Sequence, residues 1–122
     1  MWRRMMLLLG ALLLIGGTYQ LTRADGWGAW VGQYYNNPYL SPPVAFTRQD
    51  SGVSFNWGTG APGAGVGADN FSVRWSTTAY FGGGAYRFWA LADDNIRVTV
   101  DGQVVVDTFP VLQTGQLMSG DL

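Results

Sequence analysis

Two adjacent carboxylates, Asp93 and Asp94, stand in LADDNIRVTVDGQVVVD just where a β-type run ends, and Asn95 follows them. Neighbouring like charges repel, so either water solvates the pair or something positive sits between its members. Paired carboxylates also run glycoside hydrolysis, but only when they flank a bond at a separation of about 5 to 9.5 Å. Two consecutive side chains are badly placed for that, and no glutamate exists anywhere in the chain to supply a partner. Histidine is absent, which removes the commonest general base and zinc ligand and excludes Ser-His-Asp and Cys-His chemistry. Catalysis is therefore not expected.

The elements that must position this pair read as strands. Ile96, Val98 and Val100 alternate with polar residues, Asp101-Gly102 follows, and Val104 to Val106 return. Asp-Gly tolerates the positive φ angles of a type I′ turn, so this is a hairpin with Asp101 as its turn residue. No apolar stripe of helical period appears after residue 24. Short β-branched and aromatic runs predict strands at 29–35, 53–57, 71–80, 85–91, 96–100 and 103–109. NNPYLSPP, GTGAPGAGVGADN and GGG separate them with turn chemistry. The fold class is all-β, an antiparallel sandwich or barrel.

The glycine-rich loop at 58–70 has the look of a phosphate cradle, but no Lys-Ser/Thr follows it and Asp69 repels an anion. A surface loop at the rim of a site fits better. Asn70-Phe71-Ser72 forms a glycosylation sequon, a weak signal. Tyr34, Tyr35, Trp57, Trp75, Tyr80, Tyr86, Phe88 and Trp89 are mostly core candidates. Tyr34-Tyr35 and Phe88-Trp89 place one member on each face of a strand, so some aromatic rings face away from the core unless a second layer covers them. Exposed aromatic faces stack well on sugar rings.

Residues 1–24 read as a signal peptide: Arg3 and Arg4, an unbroken apolar run over 5–17, and Thr22-Arg23-Ala24 as a cleavage site. The alternative is an uncleaved anchor. Residues 25–122 form the exported domain, with four arginines against eight aspartates, a net charge of −4. Without lysine or a basic run, nucleic acid is not an expected partner. Without cysteine, the domain is held by its core and a possible metal rather than by disulfides.

The order of three blocks is specific: WVGQYYNNPYLSPPV, then VSFNWGTGAPGAGVGADNFSVRW, then GAYRFWALADDNIRVTVDGQVVVD. Together they resemble the PA14 domain family, named from a bacterial toxin's protective antigen, over residues 27–109. The resemblance implies a β module of bacterial toxins, glycosidase inserts and the sugar-binding heads of yeast flocculins and adhesins. In those lectin-like members the aspartates matching Asp93 and Asp94 are joined by a cis peptide and hold Ca²⁺, which sugar hydroxyls ligate in turn. Ca²⁺ prefers carboxylate and carbonyl oxygens, and it relieves the repulsion within the pair. Asn95 stands where the family often has glycine, and its side-chain oxygen is a further candidate ligand. Arg74 matches an arginine usual in the family and is expected in a structural ion pair. The family pattern runs several dozen residues beyond the last block, so the chain reads as truncated at its C-terminal end, with unpaired sheet edges.

These readings lead to a secreted or cell-surface, non-catalytic module. Its expected partners are a glycan or cell-surface carbohydrate, further domains of a parent protein, and a membrane only through an uncleaved leader. The competing reading is a spacer domain of a larger surface protein, in which the aspartates only stabilise a turn.

Overall fold

The computed structural model describes residues 2–10, 29–110 and 115–122. The proposed cleavage site and the rest of the leader beyond Gly10 lie outside the described residues. Within them the fold is all-β and antiparallel, as expected. One sheet has six strands in the order β3-β2-β4-β1-β6-β7: β1 (Trp2–Gly10), β2 (Trp30–Tyr35), β3 (Phe46–Asp50), β4 (Ser72–Tyr80), β6 (Asn95–Val100) and β7 (Gln103–Asp107). A second sheet pairs β5 (Arg87–Leu91) with β8 (Leu117–Asp121).

The core lies between the layers. Tyr34, Val73, Trp75, Ile96, Val98 and Val100 are buried on the large sheet, and Phe88 and Ala90 meet them from the small one. Each large side chain of this kind contributes roughly 1.5–3 kcal/mol on burial. Alternation on β6 is complete, with Ile96, Val98 and Val100 buried and the residues between them half-buried. The β6–β7 hairpin turns as predicted, with φ of 50° at Asp101 and 81° at Gly102, the left-handed pair that a type I′ turn requires. On β7, Val98 pairs with Val106 and Thr99 with Val104, so Val105 is the extra residue of a bulge. Its carbonyl stands against Gly120 of β8, where any Cβ would collide with backbone. Glycine at 120 is what lets the small sheet close down on the large one.

Four elements differ from the sequence reading. Residues 2–10, read as part of a signal peptide, form β1, whose backbone pairs with β4 on one side and β6 on the other. A strand buried within a sheet carries a near-continuous apolar run, the same composition as a leader. Residues 53–57, read as a strand, make only an isolated bridge at Asn56. The Asn56 side chain accepts from Gly58 N at 3.0 Å and Trp57 O accepts from Gly60 N at 2.9 Å, turning the chain at once. Phe55 and Trp57 instead stack on each other at 4.8 Å, and Phe55 stacks on Trp75 at 5.5 Å. Strands β3 and β8 carry too few apolar residues to stand out in the sequence. Tyr35 is buried along with Tyr34, so that pair exposes neither ring, whereas Phe88 is buried and Trp89 is 44% exposed.

Candidate functional site

Asp93 and Asp94 occupy the short link between β5 and β6, and the peptide bond joining them is cis. That agrees with what the resemblance implies. Their carboxyl groups interact directly. Burial pushes the Asp94 carboxyl above its ordinary range, and the charge of Asp93 and a hydrogen bond with it push the same way. Each of the three residues from Asp93 to Asn95 is half-buried, so the pair is neither fully hydrated nor sealed away. Neither aspartate forms a salt bridge among the described residues.

Thr108 holds this link in place. Buried to 2% exposure, its hydroxyl oxygen accepts from Ile96 N at 2.8 Å, and its own backbone N donates to Ile96 O at 3.0 Å. The same hydroxyl reaches the Asn95 side-chain oxygen at 3.4 Å. On the other side, Gly115 N donates to Ala92 O at 2.9 Å, so both flanks of the aspartate pair are tied to later parts of the chain. Asp107 accepts from Phe109 N at 3.0 Å and pairs with Arg97 at 3.0 Å. Thr108 does not stand out in the sequence, because a lone threonine after a strand is ordinary. A hydroxyl residue at the far end of the hairpin from the turn, level with the carboxylates, is the only available clue.

A second polar cluster sits under the other end of the sheet. Asp50, 6% exposed, accepts from Tyr34 Oη at 2.6 Å, Trp75 Nε1 at 2.7 Å and Arg48 Nε at 2.6 Å. Burial, together with Asp50, pushes the Tyr34 hydroxyl well above its usual range. Gly32 leaves the room for this cluster: a Cβ there would come within 2.9 Å of both Asp50 Oδ2 and Trp75 Nε1. Both oxygens of Asp50 are committed to these donors, and the cluster is a structural anchor. The hollow beside it is lined by Gln49, Asp50, Ser51, Gly52, Ser54 and Phe55, and includes none of the Asp93 to Asn95 link. The glycine-rich loop is pinned to the residue just after β2 and to β3 through Gly67 N on the Asn36 side chain at 2.9 Å and Pro62 O on Arg48 at 3.2 Å. Arg74, expected in an ion pair, finds no carboxylate among the described residues, and its buried Nε has no hydrogen-bond partner.

The PA14 domain profile matches residues 27–118. The chain belongs to the PA14 domain family. Anti-sigma-I factor RsgI3 of Acetivibrio thermocellus is 38% identical over 79 residues, which is 62% of this chain and 12% of that protein. The chain therefore spans only a small part of the length of this relative. No solved structure gives a significant match. At the level of the family, this PA14 domain is a carbohydrate-binding type of module.

Ca²⁺ takes six to eight oxygen ligands, typically carboxylates, carbonyls and water. The PA14 link offers two carboxylates and the Asn95 amide oxygen, which suits such an ion in kind and leaves positions for hydroxyl oxygens of a ligand. No group of three acidic, histidine or cysteine side chains gathers there or elsewhere among the described residues. A site closed entirely by side chains, as structural zinc requires, is not what these residues form.

Proposed function

We propose that this PA14 domain is an exported, non-catalytic module that binds glycans through Ca²⁺ held by Asp93 and Asp94, with Asn95 as an added oxygen donor. The observation that carries the reading is the contact between two carboxyl groups on one link, with Asp94 pushed up by burial and by Asp93 and no cation balancing them among the described residues. A divalent cation offsets that repulsion, and its remaining coordination positions suit vicinal sugar hydroxyls. What the chain itself supplies is placement: β6 and Thr108 fix where the carboxylates stand, and the neighbouring loops shape access. The likeness to a segment of an anti-sigma factor supports a recognition role within a larger protein.

Thermal unfolding in a calcium series tests this. A ligand at a hundred times its Kd stabilises by about 2.7 kcal/mol. The full chain is expected to gain thermal stability with calcium, and Asp93→Asn and Asp94→Asn to lose that gain. Equal midpoints with calcium and with chelator would instead favour the spacer reading, in which the pair only shapes a turn.

A further inference from the structure

The outward face of the small sheet leads to the carboxylate pair. Burial alternates without a break from Arg87 to Asp93: Phe88, Ala90 and Ala92 are buried, while Arg87 and Trp89 are exposed and Leu91 and Asp93 half-buried. Successive side chains of an extended chain point to opposite faces, so Arg87, Trp89, Leu91 and Asp93 form one row on the side away from the core. At about 3.3 Å per residue the row is about 20 Å long, and Trp89 stands about 13 Å from Asp93.

Strand β8 doubles this row. Directly opposed residues of an antiparallel pair share a face, and Leu91 pairs with Leu117, Trp89 with Ser119 and Arg87 with Asp121. Trp89 is 44% and Leu117 45% exposed, so the middle of the face is an apolar strip open to solvent and only two strands wide. Its ends are polar. The carboxylates of the link stand at one end, and at the other Arg87 donates to Asp121 twice, from Nε to Oδ1 at 2.6 Å and from Nη2 to Oδ2 at 2.9 Å. Two strands about 4.8 Å apart and a row about 20 Å long give a strip of about 200 Å², roughly a quarter of the 800 Å² or so that each partner contributes to a standard protein interface. A strip this narrow, apolar along its floor and hydrogen-bonding at both ends, suits a linear glycan rather than a protein: a β-1,4-linked pyranose chain is a flat ribbon with C–H faces and hydroxyl edges.

We propose that the outward face of β5 and β8 is a platform for a β-1,4-linked hexopyranose chain whose end residue is held at Asp93 and Asp94. The inference rests on the calcium-dependent glycan reading above and extends it from one sugar to a chain. The vicinal hydroxyls of the end residue face the link, Leu91 and Leu117 lie under the next residue, and Trp89 stacks on the C–H face of the one after it. The Arg87–Asp121 pair and Ser119 offer donors and acceptors to the hydroxyls beyond. Selection for chains over single sugars thus resides in Trp89, a residue outside the carboxylate link.

The test measures Kd for the full chain in saturating calcium, by isothermal titration calorimetry, with cellotetraose and β-1,4-mannotetraose against glucose and mannose. At least one tetraose is expected to bind about tenfold more tightly than its own monosaccharide. Trp89→Ala is expected to remove most of that advantage and Trp89→Phe, which keeps a ring, to restore part of it. A tetraose advantage that survives Trp89→Ala overturns the proposal. So does a loss shared equally by the monosaccharide, because Trp89 would then act on the end-sugar site or on folding. Calcium-dependent retention on other immobilised glycans, with neither tetraose bound, overturns the platform and leaves the calcium reading standing. No calcium-dependent retention on any glycan overturns both.

Discussion

Removing the Asp50 carboxylate should cost this domain a large part of its stability. In Asp50→Ala, the buried Trp75 Nε1 loses the carboxylate that accepts from it at 2.7 Å, and an orphaned buried donor costs about 1–3 kcal/mol. Arg48 loses the partner that holds its Nε at 2.6 Å. Breaking a fully buried ion pair costs about 3–5 kcal/mol, but Arg48 remains 37% exposed and can turn to water, so its share is nearer 1 kcal/mol. The sum is about 2–4 kcal/mol, a substantial fraction of the roughly 5–15 kcal/mol that holds a domain together. At about 4–8 °C per kcal/mol for a domain of this size, the midpoint falls by roughly 10–25 °C. Differential scanning calorimetry reads the shift. Asp50→Asn, which keeps the shape and one acceptor oxygen but turns its amide NH₂ toward either Arg48 or the Tyr34 and Trp75 donors, is expected to fall between Asp50→Ala and the unsubstituted chain. A loss below about 3 °C in Asp50→Ala would mean that the cluster contributes no more than a surface contact and is not a structural anchor.

Three further outcomes follow from the same structure. Thr108→Val leaves Ile96 N without its acceptor, so stability is expected to drop by about 1–3 kcal/mol and calcium affinity to weaken, with Thr108→Ser restoring both; denaturant titration and calorimetry measure them. Gly120→Ala forces a Cβ into the Val105 carbonyl, costing about 1–3 kcal/mol, and hydrogen exchange should speed up in β5 and β8 while β2 and β4 stay protected. The raised Asp94 carboxyl binds its proton more readily in the folded chain than in the unfolded one. Its stability contribution is therefore present below the ordinary value of 3.8 and is lost as pH rises through the raised one. Calcium-free protein should lose this increment across that window, calcium should restore it at neutral pH, and Asp94→Asn should remove the effect from a pH series of melts.

The hairpin was legible because its signals agree: alternation on β6, Asp101-Gly102 at positive φ, and apolar residues returning on β7. The aspartate pair was legible as chemistry, since two adjacent carboxylates need an explanation in any fold. Strand β3 was hidden because its core-facing positions hold Phe46, Arg48 and Asp50, and two charges read as surface until Tyr34 and Trp75 are seen to satisfy them. Thr108 and Gly120 act through contacts with residues 12 to 15 positions away, which no local pattern encodes. Strand β1 shows the reverse problem, because a continuous apolar run serves equally as a leader and as an interior strand.

Calcium-dependent glycan binding at Asp93 and Asp94 is the proposed role of this PA14 domain. The most direct measurement is retention of the full chain on a panel of immobilised glycans, in calcium and in chelator, beside the Asp93→Asn variant. Retention on a subset of glycans is expected in calcium, lost in chelator and lost in the variant under conditions where its unfolding midpoint in chelator matches that of the unsubstituted chain. Retention that survives both chelator and Asp93→Asn would contradict it, and so would no retention by a chain that calorimetry shows to be folded and calcium-loaded.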